Sequence, residues 1–254
     1  MDSGYCGLGS RKWRCAAKFA LLAGLVLSLK PAFARPSLGH DFPRPSGSAA
    51  NANHGIASPK ARLTLRIYNY AEVASVELAS SEKVAAAIFT SLGIETYWVD
   101  CPTSQRNARA YPACDSEMGT TDLVLRILPR RMAVKLHHSY DSLGFAQTCP
   151  ESEPACELNV FYHRIDELAT KGYRADRVLG YVMAHEIAHV LIGPRHSDEG
   201  IMRAEWSASD LQRISLGLSL DFSSDQCSKL RQAVLRRSAS PAQEDLMQAN
   251  LIPR

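Results

Sequence analysis

The stretch "RADRVLGYVMAHEIAHVLIGP", Arg174 to Pro194, constrains the fold more than any other part of the chain. It is apolar on every face of a helix, so it must run through the middle of whatever core forms. Asp176 sits in the expected first turn, where a carboxylate favours the helix dipole. Gly193 and Pro194 then stop the helix. Into this buried rod the sequence places two histidines and a glutamate: His185, Glu186 and His189. Polar groups in such a place are costly without partners. A core built around them must supply hydrogen-bond partners or a metal ion.

Spacing favours a metal. Residues four apart lie on one helical face, so His185 and His189 present two imidazoles together. Zinc takes such nitrogens in a tetrahedron and keeps one position open for water in catalytic sites. Glu186, next to the first histidine, is placed to serve as general base. The same turns of helix cannot provide a third ligand. The chain must turn back at Gly193-Pro194, which brings His196 within reach. Asp198, Glu199 and Glu205 follow closely and are the alternative third ligands. Met202 is a soft, weak donor, better suited to an apolar floor beneath the metal than to the metal itself.

"HEIAHVLIGPRH" followed by "GIM" resembles the motif of the metzincin clan of zinc endopeptidases, H-E-x-x-H-x-x-G-x-x-H with a later Met-turn. The resemblance implies one catalytic zinc ion held by His185, His189 and His196, with Glu186 as base. It also implies Gly193 as the helix-ending glycine and Met202 as the Met-turn methionine. His196-Ser197 is similar to matrixins. "SLGFAQ" resembles the matrixin edge strand, which implies that Leu143, Gly144, Phe145 and Ala146 bind substrate in extended form. This chain departs from the motif by one extra residue between His189 and Gly193. One residue rotates a helix by about 100°, so the following loop must compensate. Arg203-Ala204 stand where matrixins carry a proline-bearing turn.

The rest of the chain fits an α+β plan of this kind: a twisted mixed sheet with a backing helix, the active-site helix, the Met-turn and a small helical C-terminal part. Alternation predicts strands at Leu63–Tyr70, Ile94–Asp100 and Asp122–Pro129, and further strands at Ser142–Gln147 and Leu158–Ile165. A helix is expected over Ser75–Leu92, stopped by Gly93, so the first two strands form a parallel pair. Two helices follow the motif, Ser207–Leu216 and Ser223–Arg237. His163 is expected on a strand. His137 and His138 read as surface histidines, and Tyr181 and Trp206 as core.

The ends carry other signals. Arg11, Lys12, Arg14 and Lys18 precede the apolar run Phe19–Leu29, and Ala32-Phe33-Ala34 forms an A-x-A cleavage pattern. Residues 1–34 therefore read as a secretory signal peptide, with an uncleaved N-terminal anchor as the alternative. Residues 35–60 are rich in Pro, Ser, Gly and Asn and read as a linker, with His40 and His54 idle in it. Residues 61–237 form the catalytic domain and 238–254 a flexible tail. Export, to a secreted or periplasmic location, makes cysteine pairing the default. Cys101 with Cys114 and Cys149 with Cys156 close the shortest loops, which leaves Cys227 over as a candidate free thiol.

The net charge of +3 and the lack of a basic, aromatic-rich run give no sign of nucleic-acid binding. No later segment approaches a membrane span, so no stable insertion is expected once the signal is cleaved. The expected function is an exported zinc-dependent endopeptidase acting on peptides or unfolded protein. A zinc amidase acting on non-protein or cell-wall peptide amides is one alternative. A non-catalytic exported zinc-binding protein is the other.

Overall fold

The computed structural model describes residues 60–104, 111–136 and 141–239. The proposed signal peptide, most of the linker, His40, His54, His137, His138 and all but the start of the tail lie outside the described residues.

Five strands form one mixed sheet in the order β2-β1-β3-β5-β4. β1 (Ala61–Asn69), β2 (Ile94–Cys101), β3 (Asp122–Leu128) and β5 (Cys156–Phe161) run parallel to one another, with Ala61 opposite Ile94 and Leu123 opposite Cys156. β4 (Gly144–Ala146) lies antiparallel to β5 at the edge. The α+β mixed sheet expected from the sequence is what forms.

The side-chain pattern explains the layers. Ala61, Leu63, Leu65 and Ile67 alternate along β1 and are all buried. Their face meets α1 (Ser75–Ser91) and α5 (Ala175–Ile192). β3 lies in the middle and is nearly continuous in apolar residues, as an inner parallel strand should be. On the other face of β1, buried Arg66 pairs with Asp122 at 3.2 Å and donates to the carbonyls of Cys114 and Ser116. One guanidinium thus holds the loop that precedes β3, including the short helix α2 (Pro112–Asp115).

α5 is buried from Val178 to Leu191 without a break. It packs on β5 and against α1, α4 (Tyr162–Thr170), α6 (Ala208–Leu216) and α7 (Ser224–Ser238). α6 and α7 each begin with a full capping box, Ser207 with Asp210 and Ser223 with Gln226.

Several expectations are corrected. The strand expected over Leu158–Ile165 ends at Phe161, and α4 begins at the next residue. Ile165 and Leu168 both pack against the main core from α4, and Ile165 is fully buried, so packing selects the helix. His163 therefore stands on a helix, not on a strand. The strand expected over Ser142–Gln147 is only three residues long. A one-turn helix, α3 (Arg130–Ala133), and a 3-10 turn (Val134–Leu136) follow β3. The bridges Cys101–Cys114 and Cys149–Cys156 form as expected, with Cα atoms 5.7 Å and 5.9 Å apart. Cys227 is also disulfide-bonded, so it is not a free thiol.

Candidate metal centre

The site begins at the C-terminal half of α5. His185 and His189 lie on one face of it, both largely buried, with their Nε2 atoms 2.9 Å apart. The helix runs to Ile192 and ends on Gly193, whose φ of 96° and ψ of 179° lie in a region open essentially to glycine alone. This sharp reversal absorbs the extra residue after His189. It delivers His196 with its Nε2 3.1 Å from that of His189. Ligating nitrogens of the three histidines all lie within 4.8 Å of one another. Among the described residues they are the one group of histidine, cysteine or acidic side chains that converges in this way. Asp198, Glu199 and Glu205 do not join it.

What the other ring nitrogens do is decisive. His185 Nδ1 lies 2.8 Å from the carbonyl oxygen of Ile201, and His189 Nδ1 lies 3.0 Å from that of Gly193. A carbonyl can only accept, so each Nδ1 carries the proton and donates. Burial, above all, drives His185 down to about 4; the bond to Ile201 opposes this, and His189 and His196 add to it. His189 is lowered for the same leading reason. Both rings are therefore neutral near pH 7, with bare Nε2 lone pairs aimed at each other. Two such lone pairs at hydrogen-bonding distance have no donor between them. A shared cation resolves the conflict. Nitrogens of a tetrahedral zinc site stand about 3.4 Å apart, close to the spacing seen. The donor set fits zinc, and the Nδ1–carbonyl bonds are the outer contacts that orient such ligands.

The loop after His196 is shaped to support this. Ser197 pairs with Arg203 in a short bridge, and Ser197 N–H donates to Met202 O at 2.8 Å. Gly200 turns the loop with a φ of 75°. A side chain there would strike Asp221 O, at 2.3 Å from the Cβ position. Met202 is fully buried in the main core. The carbonyl of Ile201 accepts from Trp206 Nε1 at 3.2 Å as well as from His185. Trp206 stands edge-on to both His185 and Tyr181. Tyr181 is core, and its hydroxyl accepts from Leu220 N–H.

Glu186 is 5% exposed, and burial pushes its carboxyl up to about 8. Oε2 has no hydrogen-bond partner. A nearby cation would draw the group back toward the charged form. Glu186, His185, His189 and His196 line one cleft of about 620 Å³. Leu143, Gly144, Phe145 and Ala146 line it as well. Leu168, Trp206 and Leu211 line it too. Leu168 and Leu211 were not singled out in the sequence. Each is one apolar residue among many on an amphipathic helix.

No known family model matches the sequence, and no curated protein matches it. Solved structures similar to the chain include metalloproteinase-II from Bacteroides fragilis, at 12% identity and a TM-score of 0.45. That match covers 69% of this chain and 54% of that one, so the likeness spans about half of that protein. Archaemetzincin from Methanopyrus kandleri is similar at 16% identity and a TM-score of 0.39, over 70% of this chain and 99% of that one.

Proposed function

We propose that this chain is an exported, metzincin-like zinc endopeptidase. One observation carries the reading: two buried, neutral imidazoles present bare Nε2 atoms to each other while their Nδ1–H groups are committed to carbonyls. A third imidazole completes the set. His185, His189 and His196 would hold one zinc ion. Bound zinc supplies Lewis acidity, which lowers the pKa of a water from 15.7 to about 7 and polarises a carbonyl.

The chain's own residues do the rest. Glu186 takes the proton of the attacking water at Oε2, which nothing else occupies. The water oxygen bonds to the carbonyl carbon, and Glu186 then hands the proton to the amine nitrogen as the C–N bond breaks. The products are a carboxylate and an amine. The buried setting favours a carboxyl that can hold a proton between these steps.

β4 is the element that would bind the substrate. Leu143 O accepts from Phe161 N–H at 2.9 Å, which makes that a bonded pair of the ladder. By antiparallel alternation Phe145 is bonded next, so Gly144 and Ala146 turn their peptide groups out of the sheet toward the cleft. An extended peptide can add there as a further strand. Unfolded segments and peptides are the matching substrates. Disulfides at Cys101–Cys114 and Cys149–Cys156 suit an oxidising, extracytoplasmic setting. Among the described residues no helix is long and apolar enough to cross a membrane.

Cleavage of an unstructured protein, of peptides and of cell-wall fragments by the purified zinc-loaded protein tests this. Turnover of protein and peptides is expected, with kcat falling roughly 10²-fold or more in Glu186→Gln while zinc stays bound. Turnover of wall fragments alone would make the chain an amidase. Bound zinc with no turnover of any substrate would leave a zinc-binding protein.

A further inference from the structure

We infer that Gly144 is a positioning residue for Glu186, so that one residue sets both the path of the substrate strand and the place of the general base. This rests on the peptidase reading above. Gly144 is buried at the start of β4. A Cβ built on it would lie 2.5 Å from Glu186 Oε1 and 2.7 Å from Glu186 Cγ. On another side it would meet the backbone oxygen of Asn159 at 2.8 Å. Contacts under 3.0 Å essentially never occur at real Cβ atoms. The hydrogen at this position is therefore the whole clearance between the edge strand and the carboxyl.

The strand is held by hydrogen bonds, so the carboxyl is the partner that would move. Leu143 O is tied to Phe161 N–H, Arg164 donates to Ser142 O, and the Ser142 hydroxyl donates to Gly144 O. The strand is thus tied at Gly144 and at the two residues before it. Glu186 sits on the middle of α5, buried, and its Oε2 has no partner. With no bond to orient Oε2, close contact with the glycine limits where the carboxyl can turn. A methyl group here would force the carboxyl away from the strand whose outward peptide groups receive the substrate. Displacing a reacting group by about 1 Å costs on the order of 10² in rate.

The test uses Gly144→Ala, Glu186→Asp and the double variant of the zinc-loaded protein. In Gly144→Ala we expect full bound zinc, KM within about threefold, and kcat down roughly 10²-fold. Aspartate removes the contact with Oε1 and keeps the one at Cγ, so it relieves part of the clash. Adding Gly144→Ala to Glu186→Asp should therefore lower kcat by clearly less than in the wild type, a departure from additivity. A readout free of activity runs beside it. Gly144→Ala should lower the urea midpoint of the metal-free protein, and by less when Glu186 is already alanine, where only the contact with Asn159 O remains. Gly119→Ala is the control, because its Cβ would meet nothing within 4 Å. Unchanged kcat in Gly144→Ala, zinc lost together with kcat, or strictly additive effects would overturn the inference. Inactive wild type with a coupled stability cycle would instead overturn the peptidase reading, and leave the Gly144–Glu186 contact as packing alone.

Discussion

Replacing Gly200 by alanine probes the turn that carries the third histidine and the buried methionine. Two separate costs follow from the structure. A φ of 75° is strained for any residue with a Cβ, at about 1–2 kcal/mol. In addition the new Cβ would fall 2.3 Å from Asp221 O. That oxygen accepts from Ile201 N–H at 3.2 Å, so parting the two segments removes this bond as well. A lost bond contributes about 0.5–1.5 kcal/mol, more if the groups stay buried. The total is about 3 kcal/mol, a Tm drop on the order of 10 °C for a domain of this size. Gly172→Ala separates the two costs. Its φ is 92°, yet nothing lies within 4 Å of the Cβ position, so it carries the backbone strain alone. Urea titration of both variants, metal-free so that zinc binding does not add to stability, should show Gly200→Ala the worse by about 1–2 kcal/mol. Zinc affinity should also fall about 10–100-fold in Gly200→Ala, because Ile201 O orients His185. Equal losses in the two variants, within about 0.5 kcal/mol, would refute the steric argument.

Two further outcomes are expected elsewhere in the fold. Arg237 is 2% exposed and donates to the carbonyls of Cys149 at 2.7 Å and Thr120 at 3.1 Å, so Arg237→Met should cost about 3–5 kcal/mol in urea titration by orphaning them; a loss under about 1 kcal/mol would show that the latch is idle. Half-buried Glu82 is pushed up to about 7, first by burial and then by the Asp100 carboxylate. A raised folded-state pKa gives stability that is fully present below the unfolded value near 4.5 and is lost as pH rises through 7. Screening at this half-exposed site leaves on the order of 1 kcal/mol. Glu82→Gln should therefore lose less stability than wild type between pH 5 and pH 8, and parallel curves would contradict the assignment.

The central helix was legible because a helix that is apolar all round and stopped by Gly-Pro has one way to sit in a domain. The parallel strand pair was legible from strand, helix and strand in close succession. The switch from β5 to α4 was not, because "LNVFYHRI" alternates well enough to pass for one strand. The spacing of Ile165 and Leu168 held the helical signal, but it became visible only against the core they share. Three residues of the site, His185, Glu186 and His189, stand on one helix and follow from its period. His196 depended on how the chain turns at Gly193, and a glycine-only conformation is what brings the ring back. The contact of Gly144 with Glu186 joins an edge strand to a helix far along the chain. No local pattern encodes it, since it arises from where the sheet packs on α5.

Bound zinc per chain, measured after dialysis in wild type, His196→Ala and Glu186→Ala, tests the central claim most directly. The three-histidine site predicts about one zinc in wild type and in Glu186→Ala, and loss of tight binding in His196→Ala. Zinc retained at wild-type affinity in His196→Ala, or absent from the wild-type protein, would contradict it.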